Sequence, residues 1–245
     1  MKIIIPIVND VNIDDENSYL RSLYEIERKT VFQSIYEFLA QIHEAEFIVI
    51  LRRDNVKKYY LDDMIRLLIP NVKIIVANSQ TRGSACSCLL AIDQIDMEEP
   101  LVIAGGEQLF LKNPQLILED FQKKDLDGGI VTFEDIHPRW SYVKLNQEGF
   151  VIEAAEKRPI SRHATAGFYY FKKGEYFIES VKSMIRKHAD FDDQYYICPA
   201  YNEMVLLNRK VGIYPIEKTE YFNFKQKRGI NEYENYLRTG RRGEG

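Results

Sequence analysis

The chain has little cysteine, no long apolar run and no excess of basic charge. Only three of its 245 residues are cysteines, Cys86, Cys88 and Cys198. An odd number without paired Cys-x-x-Cys spacing excludes a disulfide framework and a zinc ribbon, which leaves buried free thiols as the reading. No apolar stretch reaches the roughly 18 to 20 residues that cross a bilayer. The apolar opening Lys2 to Val8 is also too short for a secretory leader, so a cytoplasmic protein with no membrane partner is expected. A formal net charge of −4 without a dense basic block argues against nucleic acid, although Lys225 to Arg228 and Arg241-Arg242 are locally basic. Repeats, linkers and low-complexity segments are missing too, so residues 1–245 are expected to form a single domain.

What is present is ordinary for a globular protein: 45% hydrophobic and 29% charged residues, enough to bury a substantial core. Lys2-Ile-Ile-Ile-Pro-Ile-Val8 is a β-branched run of the kind found in a central parallel strand covered on both faces. A polar loop with no glycine, Asn9 to Ser18, follows it. Lys29 to Ile42 has helical apolar spacing, Glu46 to Leu51 reads as a strand, Val56 to Leu68 as a helix closed by Pro70, and Val72 to Val76 as a strand. This βαβαβ alternation predicts the first half of a doubly wound α/β sheet.

Thr81-Arg-Gly-Ser-Ala-Cys-Ser87 is a turn opening a helix through Ile95, whose first N–H groups are free to face an anion or a base. Leu101-Val-Ile-Ala-Gly-Gly-Glu-Gln-Leu-Phe110 reads as a buried strand ending at a site. Ligands of open α/β sheets sit outside the carboxyl ends of the strands, so Glu107 marks where chemistry is expected. Beyond a helix from Asn113-Pro114 and a strand at Gly128 to Phe133 the pattern becomes strand-rich. A hairpin is expected over Ser141 to Leu145 and Phe150 to Ala155, an aromatic strand over Ala166 to Phe171, and helices over Tyr176 to Lys187 and Tyr195 to Leu207. A closing strand at Val211 to Ile216 and a helix at Glu232 to Leu237 complete the chain.

Several blocks, in order, resemble the sugar-phosphate nucleotidyltransferases, and in particular their short bacterial group from capsule and surface-polysaccharide biosynthesis. They are Lys29 to Phe32, Thr81-Arg-Gly83, His137-Pro-Arg-Trp-Ser-Tyr-Val143, Glu156-Lys157 with Pro159-Ile-Ser161, Ala164 to Phe171, and Tyr195-Tyr196 to Tyr201-Asn-Glu203. The resemblance implies a Rossmann-like GT-A fold with a mixed, mostly parallel sheet flanked by helices. It further implies a nucleotide-binding half, 1–133, and a smaller strand-rich substrate half, 134–245. A nucleoside triphosphate would be joined to a phosphorylated sugar or other small phosphorylated acceptor, releasing pyrophosphate, with Mg²⁺. Its partners would be those two molecules, and a homo-oligomer is compatible with the sequence.

By the same resemblance, Pro6, Ile7, Val8 and Asn9, the turn Thr81, Arg82, Gly83 and Ser84, and Gly105 and Gly106 would contact the nucleotide. Ser141, Tyr142, Glu156, Lys157, Thr165, Gly167 and Asn202 would contact the substrate. Glu107 would hold the metal, with Asn223 as its second ligand, and Lys157 would supply a catalytic cation; Arg21, which no family motif covers, is the further catalytic cation expected. The chain departs from the family pattern after the first strand, where a Gly-rich loop with an arginine and a Lys-Pro pair is usual. Here the loop carries Asp10, Asp14, Asp15 and Glu16, and Arg21 is the nearby cation. Acidic residues repel a triphosphate, and a loop without glycine does not wrap phosphates easily. Two readings therefore stand: a divergent transferase, or a degenerate paralogue that binds a sugar phosphate, a nucleotide or a partner enzyme without turnover. A glycosyltransferase on the same fold ranks behind both.

Overall fold

The structure is a computed structural model that describes residues 1–8, 12–14 and 17–240. Among these, nine strands build one central sheet: β1 (Lys2–Ile7), β2 (Glu46–Arg52), β3 (Lys73–Ala77), β4 (Leu101–Ala104), β5 (Gly128–Glu134), β6 (Tyr142–Leu145), β7 (Val151–Ala155), β8 (His163–Phe171) and β9 (Val211–Pro215). β3, β2, β1 and β4 run parallel in that order. β8 then pairs antiparallel with β4 and with β5, and β5 pairs parallel with β9. The hairpin β6–β7 joins the start of β8. This is the mixed, mostly parallel sheet that the family resemblance implies, and its parallel half, β3, β2, β1 and β4, is the part expected from the alternation of strand and helix patterns.

β1 lies at the centre because both of its faces are apolar. Ile3, Ile5 and Ile7 enter one hydrophobic cluster and Ile4 and Val8 the other, the period-2 alternation of a covered strand. Full burial of Ile3, Ile4 and Ile5 contributes roughly 1.5–3 kcal/mol each. The first face is covered by α1 (Val31–Leu39), α2 (Arg53–Tyr59), α3 (Leu61–Leu68), α5 (Pro114–Lys123) and α8 (Lys227–Gly240), the second by α4 (Ser84–Leu89), α6 (Gly174–Arg186) and α7 (Ile197–Leu206). Local signals start these helices. Thr30 accepts from Gln33 N at 3.0 Å before α1, and Asn113 accepts from Gln115 N at 2.8 Å with Pro114 in the first turn of α5.

The sheet opens where the site is expected. Pairing of β1 with β4 ends at Ile4 and Ile103, so Pro6, which has no N–H to give, falls where the β4 side of the ladder has stopped. Beyond β4, Gln108–Phe110 forms a short ribbon with Tyr221–Asn223, which brings the C-terminal segment over the strand end.

Three boundaries differ from the sequence reading. The helix expected over Val56 to Leu68 is two helices, Arg53–Tyr59 and Leu61–Leu68, divided at Tyr60 with φ 51°. Val56 and Tyr59 before the break and Leu61 and Ile65 after it pack into the same hydrophobic cluster, so the apolar face survives it. The helix expected through Ile95 stops at Leu89, and tighter three-residue bonds, Leu90 N to Ser87 O and Ala91 N to Cys88 O, take over. The last helix spans Lys227–Gly240, longer than the expected Glu232 to Leu237. Within the expected polar loop, Asn12–Asp14 and Asn17–Leu20 form an antiparallel ribbon, while Asn9, Asp10, Asp15 and Glu16 lie outside the described residues.

Candidate active site

A cleft of about 890 Å³ lies at the carboxyl ends of β1 and β4. Pro6, Ile7, Val8 and Ser84 line one side, Gly105 to Gln108 the floor, and Ser141, Glu156 and Thr165 the other side. α8 closes it with Glu232, Asn235, Tyr236 and Thr239, residues spaced three to four apart on one helical face. A volume of this size, at this place in an α/β sheet, suits a ligand as large as a nucleotide.

The floor carries an ion triad. Glu107 sits in the turn between β4 and the 108–110 ribbon and takes the Arg21 guanidinium on Oε1 and the Lys225 ammonium, 3.1 Å away, on Oε2. The side chains of Arg21 and Glu107 are only 8% and 15% exposed. The backbone bond from Phe224 N to Glu107 O, 2.8 Å, holds the C-terminal segment against this turn. Lys225 thereby stands beside the carboxylate.

Opposite lies a polar cluster. Ser141 donates to Glu156 Oε2, and the hydroxyls of Thr165 and Tyr169 are 2.9 Å apart. Burial pushes the Glu156 carboxyl above its ordinary range, against the opposing influence of Ser141, Lys157 and Lys225. Cys198 beside it is buried, which raises its thiol well above the ordinary value and makes it a packing residue rather than a nucleophile.

An aromatic wall completes this side. Phe133 stacks on Tyr221 at 4.4 Å, and Trp140 meets both rings edge-on at 5.3 and 5.7 Å. Asp135 orients the indole by accepting from Trp140 Nε1 at 3.0 Å, and the Arg139 guanidinium lies 4.4 Å from the ring centre. Arg139, Lys218, Lys225 and Arg228 give the lining a cationic share suited to phosphate groups.

The family described as Nucleotidyl transferase matches residues 21–208. The chain belongs to this family. A nucleoside-diphosphate-sugar pyrophosphorylase from Vibrio cholerae RC9 superimposes with a TM-score of 0.79 at 21% identity, covering 96% of this chain and 99% of the other. A UDP-glucose pyrophosphorylase complexed with UDP-glucose superimposes with a TM-score of 0.72 at 14% identity, covering 98% of both chains. Identities this low establish a shared fold. A search of the curated proteins returned no match.

In this member of the family the residues singled out from sequence divide into three groups. Pro6, Ile7, Val8, Ser84, Gly105, Gly106, Glu107, Ser141, Glu156, Thr165, Gly167 and Asn223 all line the cleft. Asn9 lies outside the described residues. The others need correction or relocation. Tyr142, expected to contact substrate, is fully buried and donates its hydroxyl to His137 O at 2.6 Å. Asn202, also expected there, clamps β7 by exchanging hydrogen bonds with Ala154 N and O at 2.7 and 2.8 Å, so both ends of its amide are used on backbone. Arg21 is buried behind Glu107 instead of facing the cleft as a free cation.

Thr81, Arg82 and Gly83 stand beside the cleft rather than in its lining. Thr81 bonds Ser87 at 2.6 Å, Arg82 pairs with Asp193 at 3.0 Å, and a methyl on Gly83, at φ 99°, would lie 2.3 Å from Tyr195 O. That glycine serves a close approach of two backbones. Lys157 is at the rim, its ammonium 3.4 Å from the Tyr196 hydroxyl and 5.4 Å from the Phe191 and Tyr196 ring centres. Gly167, at φ 74°, makes room for Gln108, whose amide nitrogen would be 1.4 Å from an added methyl.

Sequence reasoning missed Gln108, the aromatic wall and the inner face of α8. The 3–4 spacing of Glu232, Asn235, Tyr236 and Thr239 was the available signal for the last. The magnesium expected at Glu107 and Asn223 does not fit the donors present. Both Glu107 oxygens are engaged by cations, and Asn223 Oδ1 accepts from Lys225 N at 2.8 Å. Among the described residues no three of His, Cys, Asp and Glu gather where they could hold a metal ion.

Proposed function

We propose that the chain is a nucleotidyltransferase that joins a nucleoside triphosphate to a phosphorylated sugar or similar small phosphorylated acceptor, in the cytoplasm, for capsule or surface-polysaccharide biosynthesis. The observation that carries this reading is the two-sided cleft. One side is built from the end of β1 and the start of α4 in the nucleotide-binding half, the other from the Ser141, Glu156 and Thr165 cluster and the aromatic wall around the substrate half. A phosphate oxygen of the acceptor attacks the α-phosphorus, the new P–O bond forms as the bond to the β-phosphate breaks, and pyrophosphate leaves. Such a step asks the protein chiefly to align two anions and offset their charge. Lys225, Arg228, Arg139 and Lys218 are placed to do so. Glu156 and Ser141 suit a sugar hydroxyl.

A second reading, a paralogue that binds these ligands without turnover, is favoured by the internal ion pairing of Glu107. Calorimetry with each nucleoside triphosphate, followed by pyrophosphate release against a panel of phosphorylated sugars and polyols, separates the two. Binding with release supports the transferase, and binding without release supports the paralogue. No nucleotide binding at millimolar concentration refutes the transferase.

A further inference from the structure

Glu107 occupies the end of a central strand, on the cleft floor, where a carboxylate is well placed to hold a divalent cation against phosphate groups. Its surroundings are the opposite of what such a cation needs. Arg21, from the turn Arg21–Leu23, reaches Oε1 from behind, and Lys225 reaches Oε2 from the cleft. Mg²⁺ demands near-octahedral oxygen donors and is held through one or two open carboxylates together with ligand phosphates. Here it would have to displace two cations or share a carboxylate with them at short range. Arg21 cannot make way by losing its proton, since a guanidinium stays charged at any working pH. Nor, among the described residues, do neighbouring groups offer a replacement: Asn223 Oδ1 is bonded to Lys225 N, Glu232 pairs with Arg228 at 2.8 Å, and Glu156 is buried with Ser141.

We propose that the Arg21–Glu107–Lys225 triad stands in for a divalent cation, so that the cleft receives a phosphate-bearing ligand without metal. The triad sets two cations against one carboxylate and so leaves net positive charge at the floor. Glu107 holds Lys225, 57% exposed, with its ammonium at the cleft lining. Arg139, on the same lining, extends the positive surface toward a polyphosphate chain. The inference takes its ligand class from the proposed function, whereas its statement about Glu107 stands on the ion pairs.

Two measurements test it. In the first, Mn²⁺ alone is titrated into the full chain and into Glu107→Gln, and free Mn²⁺ is read by electron paramagnetic resonance. The expected result is no uptake by the wild-type chain up to millimolar metal. Uptake by the wild type that Glu107→Gln abolishes overturns the proposal. Absence of uptake by the wild-type chain supports the proposal whether or not the variant folds. In the second, inorganic tripolyphosphate binding is measured by calorimetry in Mg²⁺ and in EDTA. The two dissociation constants are expected to agree within about threefold, and Lys225→Met is expected to weaken binding by about tenfold or more, as loss of a charge-assisted bond implies. A tenfold or greater loss of affinity in EDTA overturns the proposal, as does absence of tripolyphosphate binding in both buffers. Failure of every nucleoside triphosphate to bind would sink the functional reading instead, and the Mn²⁺ titration tells the two failures apart.

Discussion

Asp135 gives the sharpest test of how the cleft is held together. It follows β5, and its carboxylate is only 7% exposed. Oδ1 accepts from the backbone N–H groups of Ile136 and His137 at 2.7 and 2.8 Å, while Oδ2 accepts from Trp140 Nε1 at 3.0 Å and faces Lys218 at 2.8 Å. Burial alone would raise its pKa, but the Lys218 ammonium, the two amides and the indole outweigh it and lower the value from 3.8 to about 2. A folded pKa below the unfolded one means that the ionised form stabilises the fold. That contribution is fully present above about pH 4 and is lost as pH falls toward about 2, and it amounts to about 2 kcal/mol. Asp135→Asn keeps the shape and removes the charge. At neutral pH the variant should be about 2 kcal/mol less stable than the wild type, with the gap closing as pH falls through the same window. Urea unfolding followed by the fluorescence of Trp140, the only tryptophan in the chain, measures both stability and the local environment of the cleft. A gap below about 0.5 kcal/mol at neutral pH, or one that persists unchanged in acid, would refute the assignment.

Other substitutions probe separate parts of the molecule. Glu156→Gln should leave stability at neutral pH equal or improved, because burial already disfavours the charged form; a marked fall in urea midpoint would show that the carboxylate charge is needed by the fold. Asn202→Ala removes both bonds to Ala154 and should cost about 1–3 kcal/mol in urea unfolding, without the selective loss of substrate affinity that a contact residue would show. Gly83→Ala forces a methyl against the Tyr195 backbone at positive φ and should lower the melting temperature by several degrees or prevent folding; an unchanged melting temperature contradicts the packing described. Lys157→Ala should weaken binding of a phosphorylated acceptor by about tenfold with little change in stability, and unchanged calorimetric affinity would confine Lys157 to the rim.

Much of the fold is legible in the chain because the physics that sets it is local. Lys2 to Val8 could only be a strand covered on both sides, and Thr30 and Asn113 announce the helices they cap. Glu107 was found from topology, since the end of a buried strand in an α/β sheet is where polar groups meet ligands. Its partners were not, because the bond to Arg21 spans 86 residues and has no periodic trace. Tyr142 and Asn202 show the limit of motif reading. A tyrosine hydroxyl or a side-chain amide looks the same in sequence whether it faces a ligand or a backbone carbonyl. The break at Tyr60 is equally hidden, because Val56 and Tyr59 before it and Leu61 and Ile65 after it belong to one apolar face.

The ion triad also sets an order of events in folding. Positions 21, 107 and 225 belong to three stretches that meet only after long loops have closed, and loop closure is the slow, entropically opposed part of assembly. Helices and neighbouring parallel strands can form before this, but the charge arrangement of the cleft cannot. Until the segment after β9 docks through Phe224 on Glu107, the carboxylate lacks its second cation and the cleft lacks the side that α8 closes. The ligand site is therefore a late product of folding, and a chain held short of that docking would be compact yet unable to present it.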